Sequence, residues 1–182
     1  ATRITESIHD LQLSLYFGIF LVTLIVYLFL HDWRGTLIVG IAIPVCLLAT
    51  FPVMQAFGFT LNNMSMLALS LAIGVLVDDA IVVLENIYRH LKLGEAPMDA
   101  ALNGRGEIGL AAIAITLADV VVFVPVGTMG GIVGQFFRPL GIGFAACVLL
   151  SLFVSFTITP MLASRWYREG ENVEHPERWF PL

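Results

Sequence analysis

The sequence predicts an all-α membrane protein, a bundle of five transmembrane helices, and three observations carry that reading. Hydrophobic residues make up 58% of the chain and charged residues 13%, against about 45–50% and about 25% in soluble domains. The apolar residues gather into five runs, 11–30, 36–57, 64–87, 108–126 and 140–162. Each is long enough to cross about 30 Å of hydrocarbon at about 1.5 Å per residue. The runs also lack period-two alternation and are too long for membrane strands.

Each run has its own punctuation. Run 11–30 is interrupted only by Gln12, Ser14 and Thr23. Run 36–57 carries Pro44 and Pro52, and run 64–87 carries Asp78 and Asp79. Run 108–126 contains Asp119 and Pro125, and run 140–162 ends by Pro160. Residues 1–163 are expected to form the transmembrane region, with 164–182 a cytoplasmic juxtamembrane tail. Segment 88–106 reads as a mixed-charge linker on the membrane face. Within it, Pro97 suits the start of a short helix over 97–102 that Gly104 would stop. Segment 127–137 is a glycine-rich outer loop with Gly127, Gly130, Gly131 and Gly134. It lacks a preceding strand, a lysine and GxGxxG spacing, so tight turning and close helix packing explain it better than a phosphate cradle.

Orientation follows from the basic residues. Arg34, Arg89, Lys92, Arg105, Arg165, Arg168 and Arg178 fall on one side of the five spans, and only Arg3 and Arg138 on the other. The positive-inside rule places the first side in the cytoplasm. Trp33, Tyr88, Trp166 and Tyr167 flank the same ends, as interfacial aromatics do. The N-terminus then lies outside and the C-terminus inside.

Composition narrows the function classes. A net charge of −5 without a basic run points away from nucleic acid. Cys46 and Cys147 lie in apolar runs with no CxxC or Cys/His neighbour, which favours buried thiols over a disulfide or zinc site. No metal or cofactor is expected. The chain opens on Ala1 and a polar stretch, without a charged-then-apolar leader. It is therefore expected to be a piece of a longer protein.

Asp78 and Asp79 are the most informative residues. Each carboxylate at a helix centre costs roughly 2.5–3.5 kcal/mol, so the pair costs about 5–7 kcal/mol. The twelve Leu, Ile and Val residues of the same run return about 4–7 kcal/mol at roughly 0.3–0.6 each. The two sides nearly cancel, so both acids are expected to face protein or water rather than lipid. Burial and a like charge favour the neutral acid, whereas a nearby cation favours the ionised one. A pair balanced between these influences can load a proton in one conformation and release it in another. Each charge moved through 100 mV is worth about 2.3 kcal/mol.

The remaining polar residues are secondary. Asp119 stands alone in its run and reads either as a supporting proton site or as a packing residue beside a water cavity. Glu85 and Asn86 lie two turns beyond the pair; snorkelling or capping suits them, with Glu85 able to help a proton leave. Thr116, Thr157 and Thr159 are expected to bond back to their own helices. His9, His31, His90 and His175 all lie outside the runs, so no intramembrane histidine relay is available.

The run GVLVDDAIVVLEN at 74–86 closely resembles the fourth transmembrane helix of resistance-nodulation-division (RND) transporters, in the hydrophobe/amphiphile (multidrug) efflux branch. YLFLHDWRGTLI at 27–38, with Pro44 beyond it, resembles that family's second helix, turn and third helix. FGFTLNNMSMLALSLAIG at 57–74 resembles the approach to the aspartate helix. FVPV at 123–126, GGIVGQFFRP at 130–139 and FTITPMLAS at 156–164 resemble its fifth helix, outer loop and sixth-helix end. The chain thus resembles a fragment covering roughly the second to sixth transmembrane helices of the N-terminal half.

The resemblance implies the proton-relay part of a proton-driven multidrug efflux permease, a substrate/H+ antiporter of the bacterial inner membrane and not an enzyme. Asp78 and Asp79 would be its proton-translocating carboxylates. It also implies partners: a second half bearing a relay lysine, periplasmic domains, the lipid bilayer, a trimer of the full protein, a periplasmic adaptor and an outer-membrane channel. None of the five runs contains a lysine, so the piece is expected to be inactive alone. Asp119 matches no residue of the family's relay.

Three other readings compete. A heavy-metal RND exporter is the nearest, but that branch shows a different pattern around this helix and the runs hold no Met/Cys ladder. A structural helix scaffold with neutral aspartates is the bland alternative. An intramembrane aspartyl protease using Asp78 and Asp119 would resemble its relatives in a GxGD run, which neither LVDDA nor LADVV supplies.

Overall fold

The computed structural model describes residues 13, 16–28 and 32–167. Among them there are helices and no strand, an all-α membrane bundle. Helix α1 is Tyr16–Leu28, α2 Trp33–Ala56, α3 Asn63–Lys92, α4 Pro97–Thr128 and α5 Gly131–Trp166. Helices α2 to α5 are each long and apolar enough to cross a membrane, and α1 is shorter over the described positions. The beginning and end of run 11–30, and residues 168–182 of the tail, lie outside the described residues.

Local sequence explains where the helices begin. Asp32 caps α2, its carboxylate accepting from Arg34 N at 3.2 Å and Gly35 N at 2.9 Å. Asn62 and Ser65 form a reciprocal capping box at the start of α3. Arg89, His90 and Lys92 fill the last turn of α3, where the helix dipole favours cations. Helix α4 starts on Pro97, whose missing N–H costs nothing in a first turn.

Packing lengthens the helices beyond their apolar runs and corrects several expectations. The linker foreseen over 88–106 is only 93–96, because α3 continues to Lys92 and α4 runs unbroken from Pro97. Gly104 does not stop a helix. It is buried within α4, where a Cβ would stand 2.9 Å from the Cα of Ile87, so its missing side chain lets α3 and α4 touch. The outer loop over 127–137 shrinks likewise to 129–130. Gly127 and Gly141 form a second close crossing: a Cβ on Gly141 would overlap the backbone of Gly127. Pro160 falls inside α5, which continues to Trp166, so the first residues foreseen as tail are helical.

Helix α5 packs against α2, α3 and α4, and α3 is the most enclosed of the spans. Ile38, Leu69, Val83, Leu84, Phe144 and Val148 form the centre of the core, each almost wholly buried. Phe123 of α4 stacks on Phe144 of α5 with ring centroids 3.8 Å apart. Helix α4, by contrast, leaves Leu110, Ile115, Val121 and Val122 open outward. At the end bearing Arg34, Arg89, Lys92 and Arg165, here the basic end, a polar latch joins three helices. The Tyr167 hydroxyl lies 2.6 Å from both Asp32 Oδ2 and the Tyr88 hydroxyl. Arg34 donates to the carbonyl of Trp166 at 3.0 Å.

Candidate functional site

Neighbouring positions on an α-helix point about 100° apart, and that geometry separates the two aspartates. Asp79 turns into the bundle and is only 7% exposed. Asp78 turns to an open face of α3 and is exposed. Asp79 is thus enclosed by protein, whereas no helix among the described residues covers the face that Asp78 occupies.

Three helices frame the Asp79 carboxyl. Thr116 of α4 donates to Asp79 Oδ2 at 3.5 Å and to its own Ala112 carbonyl at 3.0 Å. A hydroxyl has one hydrogen, so the shorter backbone bond claims it in this arrangement. The hydroxyl's lone pairs then remain able to accept from a protonated Asp79, and a rotation redirects its hydrogen to an ionised one. Ser151 of α5 lies beside the same carboxyl and donates to the Leu76 carbonyl at 3.0 Å. Cys46 of α2 and Cys147 of α5 are free and buried close by.

Asp119, half-buried on α4, is near enough for its charge to act on both Asp78 and Asp79. Asp78, Asp79 and Asp119 thus lie near one another, Asp78 on the open side of α3. Among the described basic residues, Arg34, Arg89, Lys92 and Arg165 lie at helix ends, and Arg105 and Arg138 about two turns inside α4 and α5. Full ionisation of the trio would leave it without a counter-charge among the described residues. Glu85 is exposed nearer the basic end and is not drawn into the cluster. No group of residues suited to a metal occurs among the described residues.

The model of the AcrB/AcrD/AcrF family matches residues 1–181. The chain belongs to that family. Members of the AcrB/AcrD/AcrF family are RND permeases, transporters rather than enzymes, and the long apolar helices are those of a multi-pass membrane protein.

Within this family member, some site residues escaped the sequence. Thr116 and Thr157 bond back to Ala112 and Phe153 as foreseen, but the contact of Thr116 with Asp79 was not foreseen. Ser151 carried only a weak signal, a serine within an apolar run. Thr159 departs from expectation: its buried hydroxyl has no hydrogen-bond partner among the described residues.

Proposed function

We propose that the chain is the proton-relay part of a proton-driven multidrug efflux permease, exchanging substrate for H+ across a bacterial inner membrane. Asp78 and Asp79 take up and release the protons, and Asp119 adjusts the charge they experience. The observation that carries this reading is the split pair: a buried acid on α3 beside an exposed acid on an open face of the same helix. An ionised Asp78 on that face calls for a cation from outside the described helices. A relay lysine on a second half of the transporter would meet that need and would shift the balance between neutral and charged acid.

The same reading puts the basic end in the cytoplasm and the α4–α5 connection in the periplasm. Periplasmic domains would hold the substrate, and a trimer working with a periplasmic adaptor and an outer-membrane channel would carry it out. Alone, this piece would transport nothing. Replacing Asp79 with Asn in the intact transporter tests the proposal in cells. Drug efflux should disappear with membrane expression unchanged, whereas unchanged efflux would favour a structural scaffold.

A further inference from the structure

A second polar cluster lies at the basic end of the α3–α4 seam, centred on His90. Its side chain is 7% exposed, yet a carboxylate approaches each ring nitrogen. Nδ1 is 2.8 Å from Glu95 Oε1 in the α3–α4 connection. Nε2 is 3.4 Å from Glu107 Oε1 on α4, without hydrogen-bond geometry, and has no other partner among the described residues. Ionised carboxylates only accept hydrogen bonds, and a neutral imidazole carries a hydrogen on one nitrogen only. Both carboxylates are served together only by the imidazolium.

The surroundings support that state. Glu95 and Glu107 are the charged groups acting on His90 among the described residues, with none contributed by α2 or α5. Arg89 of α3 pairs with Glu107 through its other oxygen, Oε2, and Asn86 also donates there. Asn103 of α4 donates to Glu95 at 2.9 Å. The hydrogen bond to Glu95 holds the His90 imidazole above its ordinary pKa, against the opposing effect of burial.

The cluster is joined mechanically to the acid site. Asp79, Asn86 and His90 lie within about 20° of one stripe along α3, at seven- and eleven-residue spacing. Each meets α4: Asp79 through Thr116, Asn86 through the Gly104 carbonyl at 2.7 Å, and His90 through Glu107. Gly104 leaves no slack there, since its backbone touches that of Ile87.

We infer that His90 is a positioning residue for the proposed relay: as an imidazolium gripped by Glu95 and Glu107, it pins the start of α4 to the end of α3 and so sets Thr116 against Asp79. The role rests on the relay reading, whereas the clamp itself does not. Alkaline conditions at the basic end remove the proton, release one carboxylate and loosen the seam.

The test uses the intact transporter in lipid. Nitrogen-15 NMR of labelled histidine, with the His90 signal identified by its loss in His90→Gln, reads the clamp directly. The expected result is titration above the ordinary value of about 6.5, lowered by Glu107→Gln, whose position is half exposed. Titration at or below the ordinary value, or indifference to Glu107→Gln, overturns the clamp. Drug-driven proton flux in oriented vesicles then reads the role. His90→Gln should lower it about fivefold, and Glu107→Gln should move the fall in flux to lower pH on the basic side, in step with the NMR titration. A flux profile that stays fixed while the titration moves overturns the positioning role. Flux that survives Asp79→Asn overturns the relay reading, and the positioning role with it, while the NMR titration still decides the clamp.

Discussion

Gly104 of α4 lies so close to Ile87 of α3 that a Cβ would stand 2.9 Å from the Ile87 Cα. Backbone cannot yield as a side-chain tip does. Gly104→Ala should therefore destabilise the protein by about 1–3 kcal/mol through overpacking. Gly106, two residues on in the same helix, meets nothing within 4 Å. Gly106→Ala should be neutral or stabilising by up to about 1 kcal/mol. Thermal unfolding in detergent separates the two, and equal shifts would refute the close crossing.

The latch at the basic end makes a second prediction. Tyr167 bridges Asp32 and Tyr88 at 2.6 Å on each side. Removing its hydroxyl with Tyr167→Phe should cost about 1–2 kcal/mol. Asp32→Ala should cost more, because the cap of α2 is lost as well, about 1 kcal/mol by itself. A double-mutant cycle should return a coupling of at least about 0.5 kcal/mol; strict additivity would mean that the two side chains do not share a bond.

Stability of the α3–α4 connection should depend on pH in a definite direction. The His90 pKa is raised, by Glu95 first, so its contribution is complete below the ordinary 6.5 and is lost as pH rises through the raised value. Those of Glu95, lowered chiefly by His90, and Glu107, lowered chiefly by Asn86, act oppositely. Their contributions are present above the ordinary 4.5 and are lost as pH falls through the lowered values. Amide protection over 93–107, corrected for intrinsic exchange, should be greatest between about 4.5 and 6.5. A maximum above that window would contradict the arrangement.

Much of this was legible in the residues. Apolar runs gave the helices because membrane spans need length and hydrophobicity more than any local signal. Asp78 and Asp79 stood out because their insertion cost is large. The helix ends were less legible. Gly104 and Gly127 read as a stop and a loop, but their small size serves contacts with residues distant in sequence. His90 was set aside as lying outside the spans, since nothing local announces that Glu95 and Glu107 converge on it. Exposure of Asp78 depends on what faces α3, which a single helix pattern does not specify.

Thr116 should matter beyond packing. Thr116→Val preserves volume and removes the hydroxyl beside Asp79, and should slow drug-driven proton flux several-fold. Thr116→Ser should retain most of it, because the hydroxyl can still turn between the Ala112 carbonyl and the carboxyl. Equal rates in the two variants would show that the hydroxyl has no part in handling the proton.

The central claim is that Asp78 and Asp79 change protonation as transport proceeds. Infrared difference spectroscopy of the intact transporter, recorded with and without substrate under a proton gradient, observes the carboxyl C=O stretch directly. The expected result is a carboxyl band that comes and goes with substrate and is altered or lost in both Asp78→Asn and Asp79→Asn. A spectrum without such a band, or a band that survives both substitutions unchanged, would contradict the relay.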